Sequence, residues 1–195
     1  MTTPTAADRL LWLDVETTGL DPAGGHRLLQ VAAIVTDVPG NQLSDEFERV
    51  VHHTAAEKQA AWDITGDFVR EMHTKTGLWD RLESGTPLAQ IDTELHAFLT
   101  EHAPGRRQAR IAGNSVRLDA NFTDANLPTT AGHLHYRVVD VSTIAFVAEA
   151  RGWAPGHFEK KTTHNALDDI RESLAEYRWL NGHIEGAMNL LRPAS

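Results

Sequence analysis

The sequence predicts an α/β fold in which one sheet is flanked by helices. The first third of the chain holds three apolar runs typical of strands, and the remainder alternates helical patterns with short strand-like runs. At 195 residues the chain is long enough for one domain with a full hydrophobic core. We expect a disordered N-terminus over residues 1–9, one domain over residues 10–183, and a C-terminal tail over residues 184–195.

The first three strands are predicted to form an antiparallel meander. Leu10 to Glu16 reads as a largely buried strand that turns polar at its end, and residues 17–22 supply turn chemistry. A second apolar strand covers residues 28–36. Residues 39–41 (PGN) predict the hairpin turn before a third strand over Phe47 to His52.

The rest of the chain alternates helices and strands. Thr86 is the predicted N-cap of a helix with Pro87 at its first position, because both residue types favour these places. The later predicted elements are a strand at Ile111–Asn114, a helix through Leu118 and Phe122 that ends before Pro128, a strand at Val138–Val141, a helix from Ser142 to Arg151, and a helix from about Thr163 to Leu180. This order favours helices packed on a sheet.

Composition excludes several classes of function. The chain has no cysteine, which excludes disulfides, thiolate metal sites and cysteine nucleophiles. No apolar run is long enough to span a bilayer, and residues 1–7 lack the basic and apolar regions of a signal peptide. We therefore expect a cytoplasmic protein with no membrane partner.

The net charge of −9 limits how the protein can bind nucleic acid. Proteins that hold long nucleic acids usually present a basic face, because phosphate neutralisation dominates their affinity. An acidic chain argues against such a groove. It remains compatible with a short substrate held by a few residues and by bound metal ions.

Asp14 and Glu16 are the first candidate site residues. They are two positions apart on a strand, so their side chains project from the same face. Two like charges directly after the apolar run from Leu10 to Leu13 are costly unless a positive group joins them. Taken alone, however, the pair is better explained as a solvated strand end.

Three further residues accompany this pair. Asp119 and Asp169 lie near the starts of predicted helices, where an acid ordinarily complements the helix dipole. His164 precedes Asp169 by five residues and is about 140° away around an ideal helix. It can reach the same site only from the start of that helix or from the loop before it.

Together these residues match a family pattern. Four acids written Asp-x-Glu…Asp…Asp, with a histidine five residues before the last, resemble the DEDD exonucleases with a catalytic histidine. The resemblance to the oligoribonucleases is closer still and covers most of residues 10–180. It is carried, in order and at the right spacing, by residues 12–22 (WLDVETTGLDP), 112–115 (AGNS), 135–137 (HYR), 140–143 (DVST) and 163–173 (THNALDDIRES).

The resemblance implies a ribonuclease H-like mixed five-stranded sheet and a 3′→5′ exoribonuclease that degrades very short RNA, dinucleotides in particular, to mononucleotides. It implies two divalent metal ions held by Asp14, Glu16, Asp119 and Asp169, with His164 accepting the proton of the attacking water. Two ions can activate the water and stabilise the leaving oxygen. Carboxylates suit Mg²⁺ or Mn²⁺, and imidazole titrates near neutral pH.

The resemblance also implies how a short single-stranded RNA is held. Leu20 and Phe68 are similar to the apolar pair that stacks the bases; the family often has Trp at the second position, and Phe can stack as well. The residues that resemble ligands of the far phosphate are His73, Ser115, Tyr136, Arg137 and Ser142. In the family the His-Tyr-Arg segment comes from a second subunit, which implies a homodimer with each site completed across the interface.

Two departures from the family pattern leave alternatives open. Gln30 stands where the second strand often has Glu, and Ala120-Asn121 follows Asp119 where the family commonly has Arg. These changes leave the five predicted catalytic positions intact but allow another substrate. The alternatives are a related exonuclease that acts on longer RNA or single-stranded DNA, and a non-catalytic nucleic-acid-binding relative.

Overall fold

Five strands form one mixed sheet in the order β3-β2-β1-β4-β5. The computed structural model describes residues 8–153, 158–159 and 165–190, with 187–190 as backbone only. The strands are β1 (Arg9–Thr17), β2 (Leu28–Asp37), β3 (Phe47–Val50), β4 (Ala109–Gly113) and β5 (Val139–Asp140). The pairs β1–β2 and β2–β3 are antiparallel, whereas β1–β4 and β4–β5 are parallel. The predicted meander and the mixed five-stranded sheet are confirmed.

Eight helices are described around this sheet. They are α1 (Ala55–Ile64), α2 (Asp67–Lys75), α3 (Leu78–Arg81), α4 (Leu88–His102), α5 (Arg117–Asn126), α6 (Pro128–His133), α7 (Val141–Arg151) and α8 (Ala166–Leu190). The sequence pattern predicted helices in the regions of α4, α5, α7 and α8 but none in the region of α1 to α3. Within the described residues, no helix is both long and apolar enough to cross a membrane.

The two faces of β1 pack against different helices. Leu11, Leu13 and Val15 share one core cluster with the buried side chains of α4 and α5. Leu10 and Trp12 point the other way, into a second cluster with α7 and α8. Because both faces are covered, the strand is nearly uniformly apolar. The alternation along β1 also places Asp14 and Glu16 on the α8 side.

Two predicted boundaries were wrong. Thr86 is not an N-cap: its N–H donates to the carbonyl of Val50 and its own carbonyl accepts from His52, which ties it to the end of β3. Helix α4 therefore begins at Leu88, and β3 ends at Val50 instead of His52. The extended pairing of Thr86 uses the backbone groups that a helix start would need.

The last helix is also displaced from its prediction. Its N-terminal amides are capped by the side chain of Asn165, whose Oδ1 accepts from Leu167 and Asp168. It begins at Ala166 and continues to Leu190, ten residues beyond the predicted end. The predicted start at Thr163 lies outside the described residues. The division of the chain at residues 9 and 183 stays a prediction.

Candidate active site

Three carboxylates converge where β1 meets the start of α8. Asp14 and Glu16 come from the α8-facing side of β1, and Asp169 lies in the first turn of α8. One oxygen from each of the three residues lies within 4.8 Å of the others. Glu16 is buried, and the other two are half-buried. The packing of α8 on β1 thus joins residues more than 150 positions apart.

The fourth acid, Asp119, is held against the end of β1. It is buried in the first turn of α5, and its Oδ1 accepts a hydrogen bond of 3.0 Å from the N–H of Val15. Paired positions of β1 and β4 end at Trp12, so a carboxylate takes the place of a strand partner for Val15. Asp119 is therefore fixed between the two acids of β1, although it is not part of the three-residue group.

Burial and mutual repulsion make these carboxyls retain protons. Burial, followed by the charges of Asp169 and Asp119, raises the pKa of Glu16 to about 8. The pKa of Asp14 is raised well above its ordinary value by burial and then by Asp119, Glu16 and Asp169. Burial is also the main cause that raises the pKa of Asp119 to about 7. Such a group binds either protons or cations at neutral pH.

A divalent metal ion fits this donor set. The three converging residues offer hard, negatively charged oxygen atoms, which are the ligands that Mg²⁺ and Mn²⁺ prefer. A cation would also offset the repulsion that raises the pKa values of Asp14 and Glu16. Asp14, Glu16 and Asp169 can therefore hold a metal ion, with Asp119 beside them.

The neighbouring Asp168 points away from the other acids. Its carboxylate lies 2.6 Å from Arg171, which also pairs with Glu46 at 2.7 Å. Arg171 is itself partly exposed. Asp168 is therefore a surface ion-pair partner, and Asp169 is the inward acid of the two.

His73 occupies an unexpected position behind Glu16. Its ring, on α2, is fully buried, and Nε2 lies 2.9 Å from the carbonyl oxygen of Thr17. Since a carbonyl only accepts, Nε2 carries the proton. The other ring nitrogen lies 3.8 Å from a carboxylate oxygen of Glu16. His73 therefore contacts a predicted metal ligand, a role that the sequence did not suggest.

The predicted base-stacking residues are both exposed. Leu20 is 78% exposed and Phe68, in the first turn of α2, is 72% exposed. Leu20 follows a loop whose backbone is fixed, because Thr18 bonds Arg27 through both its N–H and its side-chain oxygen. A Cβ at Gly19 would lie 2.4 Å from the ring of His26, so a larger residue there would displace that ring. The loop presents the apolar side chain of Leu20 to solvent from a hydrogen-bonded backbone.

The structure brings Ser115 and Ser142 together. The N–H of Ser115 donates to Ser142 Oγ at 3.1 Å and to Asp140 Oδ1 at 3.3 Å. Asp140 also caps α7 by accepting from the N–H of Ser142. The two predicted phosphate ligands, 27 residues apart, therefore form one small polar cluster at the ends of β4 and β5.

Tyr136 and Arg137 lie on an exposed segment between α6 and β5. Tyr136 is 72% exposed, with the Arg137 guanidinium 5.4 Å from its ring centre. Besides partial desolvation, the nearby charges of Arg110, Arg137 and Arg107 lower the pKa of His135. Arg107 and Arg137 thus place positive charge around this segment, whereas Arg110 is paired with Asp8 at 2.7 Å.

The remaining predicted residues are placed as follows. His164 lies outside the described residues. Gln30 is buried directly opposite Glu16 in the sheet register, and its amide nitrogen bonds Glu48. A neutral amide therefore sits beside Glu16 where a family-typical Glu would add a further carboxylate. Ala120 is partly buried and packs against the core.

Structural comparison shows the fold that these residues occupy. Exonuclease I of Escherichia coli, solved with a 5cy-dT13 oligonucleotide, has a TM-score of 0.66 and 16% sequence identity, and exonuclease I of Methylocaldum szegediense has a TM-score of 0.64 and 18% identity. Each alignment covers 94% of this chain but only 42% of the solved chain. The ribonuclease H-like fold of these exonucleases is therefore shared.

Sequence comparison is more specific. The RNase_T model, described as "Exonuclease", matches residues 11–177. The oligoribonuclease of Streptomyces coelicolor is 40% identical over 176 residues, which are 88% of this chain and 84% of that protein. A probable oligoribonuclease of Schizosaccharomyces pombe is 39% identical over 88% of this chain and 69% of its own length. The chain therefore belongs to the RNase_T exonuclease family, among its oligoribonucleases.

Proposed function

We propose that this chain is a 3′→5′ exoribonuclease that degrades very short RNA, dinucleotides in particular, to mononucleotides with two divalent ions, Mg²⁺ or Mn²⁺. The observation that carries the proposal is the convergence of Asp14, Glu16 and Asp169 within 4.8 Å. The names of the similar oligoribonucleases support the substrate class. A cytoplasmic location, expected from the sequence, stays part of the proposal.

In this reaction the four acids would hold the metal ions, and the histidine would act as the base. Divalent ions at such a site supply positive charge that favours ionisation of the attacking water and stabilises the leaving 3′-oxygen. Asp14, Glu16 and Asp169 would hold them, and Asp119, fixed by Val15, would complete the shell. His164 would accept the proton from the attacking water, because imidazole titrates near the working pH.

The substrate contacts follow from exposure and hydrogen-bonding capacity. Leu20 and Phe68 present apolar surface on which bases can stack. Ser115 and Ser142 would receive the far phosphate. A substrate contact by His73 requires Thr17 to move, since its ring is buried against that carbonyl.

Product analysis on 5′-labelled RNAs of two to ten nucleotides tests the function. We expect wild-type protein with Mn²⁺ to convert dinucleotides fastest, and Asp14→Ala and His164→Ala to lose at least about a hundredfold in rate. Equal rates on a dinucleotide and a twenty-mer would point to a longer substrate. Activity that survives both substitutions would reject the catalytic assignment.

A homodimer that shares residues across its interface completes the proposal. The exposed, positively charged segment around Arg137 has the charge needed to meet the acidic site of a second copy. Arg137→Ala and Asp14→Ala should each be nearly inactive alone. After unfolding and refolding together, mixed dimers contain one intact site, so about a quarter of wild-type activity should return. No recovery in verified mixed dimers would place Arg137 in its own subunit's site.

A further inference from the structure

Asn114 connects three parts of the molecule through one side chain. Its Nδ2 donates to Ser173 Oγ and to Glu176 Oε2, each at 2.9 Å. Its Oδ1 accepts from Ser142 Oγ, also at 2.9 Å. The residue directly follows β4, so this single amide joins the end of a central strand to α7 and α8.

The two α8 residues that Asn114 contacts lie on the same face of the helix as Asp169. Ser173 and Glu176 follow Asp169 by four and seven residues, a spacing that places all three on one face of a helix. Both contact residues are buried. Asn114 therefore contacts the same face of α8 that carries Asp169.

The contact on α7 holds the Ser115–Ser142 pair. Ser142 gives its hydroxyl proton to Asn114, which leaves its oxygen to accept from the N–H of Ser115. Ser115 has a φ of 54°, in the left-handed region that non-glycine residues rarely adopt. Its own hydroxyl makes no hydrogen bond within the part of the chain that the structure describes. Ser115 is exposed, so a ligand can reach its hydroxyl from solvent.

We propose that Asn114 is a positioning residue that sets the distance between the metal-binding carboxylates and the Ser115–Ser142 pair. This rests on the proposed function, in which that pair receives the far phosphate of a dinucleotide. A fixed distance between the reacting end and the far phosphate selects substrates of one length. Asn114 touches neither end of the substrate and acts by holding both subsites on one hydrogen-bonded frame.

The test separates binding of the far phosphate from hydrolysis. We would measure kcat and KM on a 5′-phosphorylated dinucleotide, on the same dinucleotide with a 5′-hydroxyl, and on thymidine 5′-(p-nitrophenyl phosphate), which has no second phosphate. For Asn114→Ala we expect kcat/KM on the phosphorylated dinucleotide to fall about tenfold or more, through KM. The preference for the 5′-phosphate should disappear, while the rate on the nitrophenyl ester changes less than about twofold.

Rescue distinguishes positioning from general damage. Asn114→Asp loses the amide donor and adds a charge beside Glu176, so we expect it to lose the 5′-phosphate preference. In the double variant with Glu176→Gln, the new amide at position 176 can donate to the carboxylate at position 114. This hydrogen bond should restore the preference for the 5′-phosphate. Asn121→Ala, at an exposed asparagine of α5, is the matched control. Thermal unfolding of each variant shows whether it is folded.

Each outcome has one meaning. Loss of preference in both single variants, with recovery in the double variant, supports the inference. A preference retained in folded Asn114→Ala overturns it and leaves the proposed function intact. An equal loss on all three substrates also overturns it, because the damage then lies in the metal centre. Wild-type protein without any 5′-phosphate preference rejects the far-phosphate subsite of the proposed function, and the inference with it.

Discussion

Without divalent ions, the protein should become less stable as the pH rises from 5 to 8. Glu16 has a pKa of 4.5 when unperturbed and about 8 in the folded protein. Below pH 4.5 the carboxyl is protonated in both states. Between 4.5 and 8 the unfolded carboxyl ionises while the folded one keeps its proton, so rising pH favours unfolding. Above pH 8 both are ionised and this contribution is constant.

The size of the effect follows from the same shift. Moving the pKa of one carboxyl from 4.5 to about 8 corresponds to at most about 5 kcal/mol between pH 4.5 and 8. Asp14 and Asp119 also have raised pKa values and act in the same direction, so we expect the whole group to lose at least about 2 kcal/mol. Urea unfolding in EDTA, followed by circular dichroism, measures it. Mn²⁺ at pH 8 should restore most of the loss by binding the folded state.

Glu16→Gln is the informative control. An amide has no proton to lose, so in EDTA the variant should be more stable than wild type at pH 8 and show a flatter pH profile. Mn²⁺ should stabilise it less than it stabilises wild type. If wild-type protein in EDTA is equally stable at pH 5 and pH 8, and the variant behaves identically, then the carboxyls do not repel one another as argued.

Four further substitutions test local packing and exposure. Asp92→Ala should cost about 2 kcal/mol in urea unfolding, because its carboxylate accepts two backbone N–H bonds at the start of α6. Gly85→Ala should cost about 2 kcal/mol, since a Cβ would lie 2.7 Å from a backbone oxygen of Val50, whereas Gly132→Ala, with no atom within 4 Å, should be neutral or stabilising. Leu20→Ala should change stability by less than about 0.5 kcal/mol yet slow dinucleotide hydrolysis, because its side chain is exposed. Equal losses of stability at positions 85 and 132 would contradict the predicted difference in packing between the two glycines. A large loss at position 20 would contradict the exposure of Leu20.

The sheet was predictable because its strands are strongly apolar, whereas α1 to α3 were not. Helix α1 buries only Ala61 among its ten residues, so it has little apolar periodicity to detect. A capping box between Thr54 and Glu57 marks its start, a signal that could have been found. Its buried residue, Ala61, packs in a small cluster with Leu29 and the apolar residues of α3. These contacts join distant parts of the chain, so no local sequence pattern predicts them.

The candidate site was predictable in its acids but not in their supports. The period of the strand places Asp14 and Glu16 on one face, and the family resemblance pointed to Asp119 and Asp169. The bond from Asp119 to Val15 joins positions 104 apart, and no local pattern encodes it. The burial of His73 behind Glu16 depends likewise on where α2 packs.

Trp12 offers a direct measure of how firmly this site is held. Its indole N–H donates to Thr36 Oγ1 at 2.9 Å, it is fully buried, and its ring meets that of Tyr177 on α8 edge to face at 5.2 Å. Separation of α8 from the sheet would expose the indole proton to solvent. The same opening removes Asp169 from the other acids. Hydrogen exchange at this one proton therefore gives an upper limit on the free energy needed to separate Asp169 from Asp14 and Glu16.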